Sequence, residues 1–407
     1  MLSYMFADVI VLGAGPVGLL AANLLGRRGL HVILVERDAD LPSGSRAIGV
    51  SPPSLEILSA IGLDKPLVAA GVAIKRVQVH GKQQRLLGTV SFDSVGSAYP
   101  FILAVPQPQT MHLLGAALRG AGKVDVCKGS EVTSLFQDDR AVYVVRRYRE
   151  GEVVRLETLG ARFVLACDGS KSFARKALGL KFAGRHYRDT FLMGDFPDNT
   201  GWENEARLFF TSDGSVEAFP LPQGLRRWIV LTDSYKSETD TAVLASLVEK
   251  RTGFSLDPSA ARWMSPFGTE GFMARKTRIG RVFLAGDAAH VLSPIGGQGM
   301  NTGFADVAAI AGLIAQTPES VPVQGAGFRN RSRSIERSRL RAFRVARNRA
   351  WRSMKLGVVR GRFASVFRNL VLRVYLRGPW KKRIPVDYAM MTIPGQQLVR
   401  SSLKGFV

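Results

Sequence analysis

The chain has 407 residues, with 56 Lys and Arg against 33 Asp and Glu, five His and two Cys. That length exceeds the ~100–200 residues of one domain, and 46% hydrophobic with 22% charged residues excludes a disordered or collagen-like chain. Cys127 and Cys167 are too few for a disulfide framework or a cysteine metal cluster, so a reducing cytoplasm is the expected compartment. The net charge of +23 is unevenly placed: residues 325–407 carry 21 Lys and Arg against two acids, and residues 1–324 carry 35 against 31. A basic segment of this kind suits nucleic acid, an anionic membrane surface or an acidic partner, and charge alone does not choose.

Asp8 to Leu12 is a short β-branched apolar run suited to a buried parallel strand. Gly13-Ala-Gly15-Pro16-Val17-Gly18 follows, then an Ala- and Leu-rich helical stretch to Leu25, then a second apolar strand from His31 that ends at Glu36. This is a βαβ unit with a G-x-G-x-x-G turn. Gly13 permits the tight turn, Gly15 lets a pyrophosphate approach the backbone, Gly18 lets helix and strand pack, and the helix N-terminus attracts phosphate charge. An acid at the position of Glu36 suits a ribose hydroxyl and disfavours a 2′-phosphate, so a dinucleotide is expected but NADP is not expected in this pocket. The run Val9–Leu25 is interrupted by glycines and Pro16 and is too short to span a membrane, and no basic n-region precedes it. A soluble or peripheral protein is expected.

Further on, Cys167-Asp168-Gly169-Ser170 leads into a helix expected from about Ser172 to Leu178, which Asp168 is placed to cap. Residues 185–270 alternate in pattern. Thr190–Asp195, Ala206–Phe210, Val216–Pro220 and Arg227–Leu231 read as antiparallel strands, with turns at Ser212–Gly214 and Gln223–Gly224. Arg281–Ala285 reads as another buried strand, closed by Gly286-Asp287. The glycine-dense segment through Pro294, Gly297, Gly299, Met300 and Asn301 precedes an Ala-rich helix to about Ala315, exposing backbone N–H groups that suit the anionic reduced ring of a flavin. The five histidines are scattered without metal-ligand spacing, so no metal site is expected, and no hydrolase triad stands out.

These motifs together resemble the flavoprotein aromatic hydroxylases, the para-hydroxybenzoate hydroxylase-like group A monooxygenases. Three ordered motifs carry the likeness: Gly13-x-Gly15-x-x-Gly18 with Glu36-Arg37; Asp168-Gly169 through Arg175, similar to D-G-x-x-S-x-x-R; and Gly286-Asp287 through Pro294 to Gly299-Met300-Asn301 and Asp306. Weaker similarities are Arg46, which matches an arginine beside the flavin, and Gln107, which matches a cofactor-touching glutamine.

The resemblance implies an α/β fold: a Rossmann-type FAD domain from residues 1–80, 105–184 and 271–320, an inserted antiparallel substrate sheet from 81–104 and 185–270, and a basic helical region over 321–407. It implies FAD on Glu36 and Asp287, with Gly299, Met300 and Asn301 at the flavin pyrimidine edge, and Asp168 and Arg175 serving FAD and NAD(P)H. NADH or NADPH and O2 are then co-substrates, and oxygen is transferred through a C4a-hydroperoxyflavin to an aromatic, quinone-like or polyketide substrate. No protein nucleophile is needed. Phe210, Phe219, Trp228 and Pro294, with Met193 and Phe267, are candidate walls of an apolar substrate pocket, and His290 is read as orienting its loop. A related FAD-dependent reductase, dehydrogenase or halogenase is the nearest alternative, although a W-x-W-x-I-P signature is absent. A membrane- or nucleic-acid-binding module acting through the basic tail is another.

In the tail, Ile335, Leu340, Phe343 and Met354 precede a second group, Phe363, Val366, Phe367, Leu370 and Val374, at helical spacing among Arg362, Arg368, Arg373 and Arg377. Gly357, Gly361 and Gly378-Pro379 punctuate the segment into two helices. Either these pack on the body with arginines in solvent, or residues 329–407 attach to anionic lipid. Nucleic acid is not expected, since no recognised module or aromatic-studded basic sheet is present.

Overall fold

A computed structural model describes residues 5–40, 44, 47–233, 240–294 and 296–404. Arg46, one of the expected cofactor contacts, lies outside the described residues. The architecture is α/β, with two eight-stranded sheets, a small three-stranded sheet and a helical C-terminal region.

The first sheet grows from the βαβ unit. Strand Met5–Leu12 lies between Val32–Val35 and Val153–Ala166, all parallel; Val124–Cys127 adds on one side and Val282–Leu284 on the other, with Arg278–Ile279 antiparallel at that edge. Such strands are covered on both faces, which is why they read as unbroken apolar runs; Val9, Ile10, Val11, Val32, Ile33 and Leu34 are all inaccessible to solvent. Helix Pro16–Gly26 and helix Gly299–Ala315 pack on one face, where Leu20, Leu24, Phe304 and Val307 meet in one core. Ser130–Gln137 and Val142–Glu150 extend the sheet as an antiparallel hairpin.

The second sheet runs His290–Val291, Trp263–Ala274, Phe182–Pro197, Leu225–Thr232, Gly214–Leu221, Ala206–Thr211, Arg76–His80, Leu86–Ser91. Its antiparallel centre has its turns at residues 212–213 and 222–224. The expected boundaries need correction: residues 76–80, 182–184, 271–274 and 290–291, assigned from sequence to the first domain, belong to this sheet. Arg76–His80 pairs in parallel with Ala206–Thr211 and antiparallel with Leu86–Ser91. The first of these pairings joins segments more than a hundred residues apart, so no local pattern reports it. On the far side, helix Thr241–Thr252 packs Leu244 and Val248 into a cluster with Trp202, Phe209, Val216 and Trp228.

After residue 315 the chain makes the long helix Ala326–Gly357 and then Arg362–Arg377, followed by short helices Arg383–Tyr388 and Gln396–Leu403. The long helix buries Phe328, Ile335, Leu340, Phe343, Ala346, Ala350 and Met354 against the body. The second helix does the reverse of what its pattern suggests. It buries Ser365, Arg368, Leu372 and Leu376, and it leaves Phe363, Val366, Phe367, Leu370 and Val374 between 57% and 93% exposed. No helix among the described residues is long and apolar enough to cross a membrane.

Candidate active site

The glycine turn divides its tasks by position. Gly13 sits at φ +91°, and a Cβ there would meet the Cys167 carbonyl oxygen at 2.5 Å; a Cβ on Gly18 would meet the Gly13 carbonyl oxygen at 1.8 Å. Gly15 has nothing within 4 Å in that direction. Two glycines therefore let the chain close on itself, and the third leaves open backbone at the mouth of a helix. Gly15 caps helix Pro16–Gly26 without any side-chain hydrogen bond, so its first N–H groups retain their capacity to meet an anion. Glu36, at the tip of the next strand, accepts from the Ala14 N–H at 2.5 Å and the Asp38 N–H at 2.9 Å. Its carboxylate thus braces the turn. Arg37 points outward and pairs with Asp38 at 3.2 Å.

The second such mouth belongs to helix Gly299–Ala315. Gly296 and Gly297 adopt φ of +85° and +62°, Gly299 has open space where a Cβ would be, and the Gln298 side chain does not cap the helix. The Asn301 side chain is fully engaged: it accepts from the Ser51 N–H at 2.8 Å and donates to the carbonyls of Gly49 and Gly297 at 2.9 and 2.6 Å. It ties the loop, the helix and the small sheet into one unit. Asp287 lies in the same wall with its side chain open to the cavity, where desolvation by the surrounding protein pushes its carboxyl above the ordinary carboxylate range.

The Asp168 motif has its own geometry. Ser172 caps helix Phe173–Ala177 by accepting from the Arg175 N–H at 3.0 Å, while Asp168 Oδ2 accepts from the Ala174 N–H at 3.1 Å. The other Asp168 oxygen is buried without a partner. Arg175, expected at the cofactor, instead donates to the carbonyls of Ala288 and Ser170 at 2.9 and 2.7 Å and lies 3.8 Å over the Phe182 ring. It fastens the second motif to the third and does not line the cavity. A guanidinium fits two converging carbonyls because its donors form a fixed fork.

Behind the third motif lies a buried ionic group. Asp306 accepts from His290 Nε2 at 2.6 Å, from Arg339 Nε at 2.8 Å and from the Gly286 N–H at 3.2 Å. Burial by itself raises the Asp306 carboxyl, but the charges and hydrogen bonds of His290 and Arg339 outweigh it and hold the group below its ordinary range. His290 also stacks on Phe343, with ring centroids 4.6 Å apart. Loop, helix and tail are locked at one point, and His290 is turned into protein instead of toward the cavity.

All these mouths open on one cavity of about 1080 Å³. Gly15, Pro16, Val17, Gly169, Asp287, Pro294, Gly297, Gly299 and Met300 line one part, and Gln107, at the start of helix Gln107–Ala117, lies on it as well. The strand wall supplies Met193, Leu208, Phe210, Phe219, Ile229 and Phe267. Trp228 is not among them. Side chains alternate along a strand, so Trp228 points away from the wall that carries Ile229 and is fully buried beside Trp202 under helix Thr241–Thr252. The expectation for this residue is corrected accordingly.

Sequence reading missed the contribution of the tail: Ser353, Leu356, Leu372, Tyr375, Leu376 and Tyr388 also line the cavity. It also missed Glu217, whose signal was available in Val216-Glu-Ala-Phe-Pro220, since a residue two before Phe219 shares its face.

An FAD-sized anionic cofactor fits this arrangement. Two uncapped helix mouths with open glycine backbone face the same cavity, and Asp168, which has one buried carboxylate oxygen without a partner, stands between the lining residues Cys167 and Gly169. Comparison with known proteins defines the class. The FAD binding domain family matches residues 6–319, and the chain belongs to that family. It is 32% identical to a rifampicin monooxygenase of Streptomyces venezuelae over 307 residues, covering 74% of this chain and 62% of that protein. It is 33% identical to a 6-methylpretetramide 4-monooxygenase of Streptomyces rimosus over 316 residues, covering 76% and 55%. The chain thus spans a little over half the length of the curated relatives it matches. Among solved structures, the p-nitrophenol 4-monooxygenase of Pseudomonas putida shares the fold with a TM-score of 0.84 at 21% identity, covering 96% of this chain and 99% of that one.

Proposed function

We propose that this protein is an FAD-dependent monooxygenase that uses NADH or NADPH and O2 to hydroxylate or epoxidise an apolar aromatic, quinone-like or polyketide substrate. The observation that carries the reading is the single cavity that joins two anion-ready glycine mouths to an apolar strand wall. When bound, the flavin supplies the redox and oxygen-transfer chemistry. The glycine turns at Gly15 and Gly299 hold its anionic parts through backbone N–H groups, Glu36 orients the turn that meets the adenosine end, and Asp168 and Asp287 accept hydrogen bonds from its polar chain. Phe210, Phe219 and Phe267 hold a flat apolar substrate and keep water from the reacting face, where desolvation strengthens every polar interaction. The relatives named as monooxygenases of rifampicin and 6-methylpretetramide support oxygen insertion as the reaction class.

The purified protein is expected to be yellow and to oxidise NADH or NADPH faster with substrate, with one atom of ¹⁸O2 entering the product. Stimulated oxidation without label in the product assigns a reductase. A colourless protein that FAD does not reconstitute overturns the proposal.

The same protein is proposed to work at an anionic membrane surface. Helix Arg362–Arg377 carries Phe363, Phe367 and Leu370 at 93%, 70% and 58% exposure, and Trp380, just past its C-terminus and stacked on Tyr375, is 52% exposed. Arg362, Arg377, Lys381, Lys382 and Arg383 around them are exposed too. An apolar stripe with a cationic rim fits the headgroup boundary of anionic lipid, where each basic residue contributes about 1 kcal/mol. Leu372, Tyr375 and Leu376 of the same helix line the cavity, which gives an apolar substrate a short path from lipid. Flotation with phosphatidylserine vesicles tests this: binding should be lost in a Phe363→Ser, Phe367→Ser variant and in high salt, and equal flotation of variant and parent overturns it.

A further inference from the structure

Glu217 is a carboxyl group in an apolar wall that none of the steps above uses. It lies on strand Gly214–Leu221, in register with Leu208 on one neighbour and Ile229 on the other, and all three line the cavity. No hydrogen bond or ion pair reaches it among the described residues, and no described Lys or Arg lines the cavity. From the flanks, Arg251 and Arg368 donate to the carbonyls of Ser215 and Thr211. From the tail, Tyr388 feels the charge of Glu217, and its hydroxyl is bonded to Ser353 Oγ at 2.9 Å. Glu217 is half-buried, and desolvation in the apolar wall raises its carboxyl to about 7, with no opposing charge to lower it. The other two acids on the cavity are placed differently: Glu270 has His186 at 3.1 Å, and Asp287 lies at the glycine mouths with its carboxyl also raised by desolvation.

A carboxyl held in an apolar wall, half-buried and without a partner, is poorly solvated. A ligand that donates a hydrogen bond removes that deficit, and a ligand without a donor leaves it in place, which is the arrangement by which a polar site discriminates most strongly. We propose that Glu217 is the specificity-determining contact of the cavity, accepting a hydrogen bond from a ring hydroxyl of the substrate. This rests on the reading of the cavity as a substrate site.

The test uses the FAD-loaded full chain and titration calorimetry, so that binding is read apart from turnover. The probes are 2-naphthol, 2-methoxynaphthalene and 2-naphthylmethylammonium, at pH 6 and pH 8. The parent should bind 2-naphthol about ten-fold or more tightly than the methyl ether, with the preference changing between the two pH values as Glu217 titrates. Glu217→Leu should abolish the preference while keeping or improving binding of the ether. Glu217→Gln should keep part of it and lose its pH dependence, and this variant alone decides the matter if the leucine variant does not fold. Equal loss for both naphthalenes, or an unchanged preference in Glu217→Gln at both pH values, overturns the assignment. A parent that prefers the ammonium compound over naphthol overturns the hydroxyl and identifies a cationic substrate. If none of the three binds, the substrate-site reading itself falls, a result distinct from uniform binding without discrimination.

Discussion

The two long helices of the C-terminal region both mix arginines with apolar residues, yet they present them in opposite senses. Ala326–Gly357 turns Phe328, Phe343 and Met354 inward and commits Arg339 to the buried Asp306. Arg362–Arg377 turns its phenylalanines outward and buries Arg368, whose guanidinium donates to the carbonyls of Val359 and Thr211 and is pushed down to about 10 by burial. The first helix has a body to cover, so its apolar stripe follows the usual economy of burial. The second is held by Leu372, Leu376 and backbone carbonyls and keeps the larger apolar face free. An arginine inside and a phenylalanine outside on one helix is the reverse of what stability alone selects, which is why the outer face reads as a surface for something else.

The contrast is broken most strongly at Asp306. Asp306→Asn leaves Arg339 buried without its counter-charge and should cost about 3–5 kcal/mol in denaturant unfolding; adding Arg339→Met should recover part of that loss. Next in size, Phe343→Ala should cost about 3–5 kcal/mol, whereas Phe367→Ala on the outward face should stay within about 0.5 kcal/mol. Equal costs for the two phenylalanines would mean that the outer face is covered in solution.

The two acids held near the tail should also differ in the sign of their pH dependence. Asp306 has a lowered folded pKa, so its contribution is present above the unfolded value near 3.8 and is lost as pH falls through the lower folded value. Glu217 has a raised folded pKa, so its contribution is present below 4.5 and is lost as pH rises through about 7. Glu217→Gln should therefore flatten the decline in Tm between pH 5 and pH 8. Smallest of all, Arg400→Ala, which removes an exposed pair with Glu56 at 3.1 Å, should change stability by about 0–1 kcal/mol.

What the chain reveals before folding depends on the range of the interaction. Gly13, Gly15 and Gly18 were legible because their tasks are set by backbone within one turn and the packing of adjacent elements. The strands from 190 to 231 were legible because alternation and turn residues are local. Trp228 was misread because alternation names two faces without saying which one meets the cavity. Arg175 was misread because its acceptors, Ser170 and Ala288, lie in two separate loops. Residues 76–80 fall in the wrong domain when read from sequence because the pairing of Arg76–His80 with Ala206–Thr211 is set by a distant segment.

The βαβ unit, the two glycine mouths, the family and the concentration of positive charge after residue 325 can all be read along the chain. The tertiary structure decided how that charge is used. It sent Arg339 to a buried carboxylate, turned the Phe363–Val374 stripe to solvent, and brought Ser353, Leu376 and Tyr388 to the same cavity as Glu217. The physical reason is that helical periodicity specifies a stripe but not its direction; direction follows from which surfaces are left uncovered once the two sheets have paired.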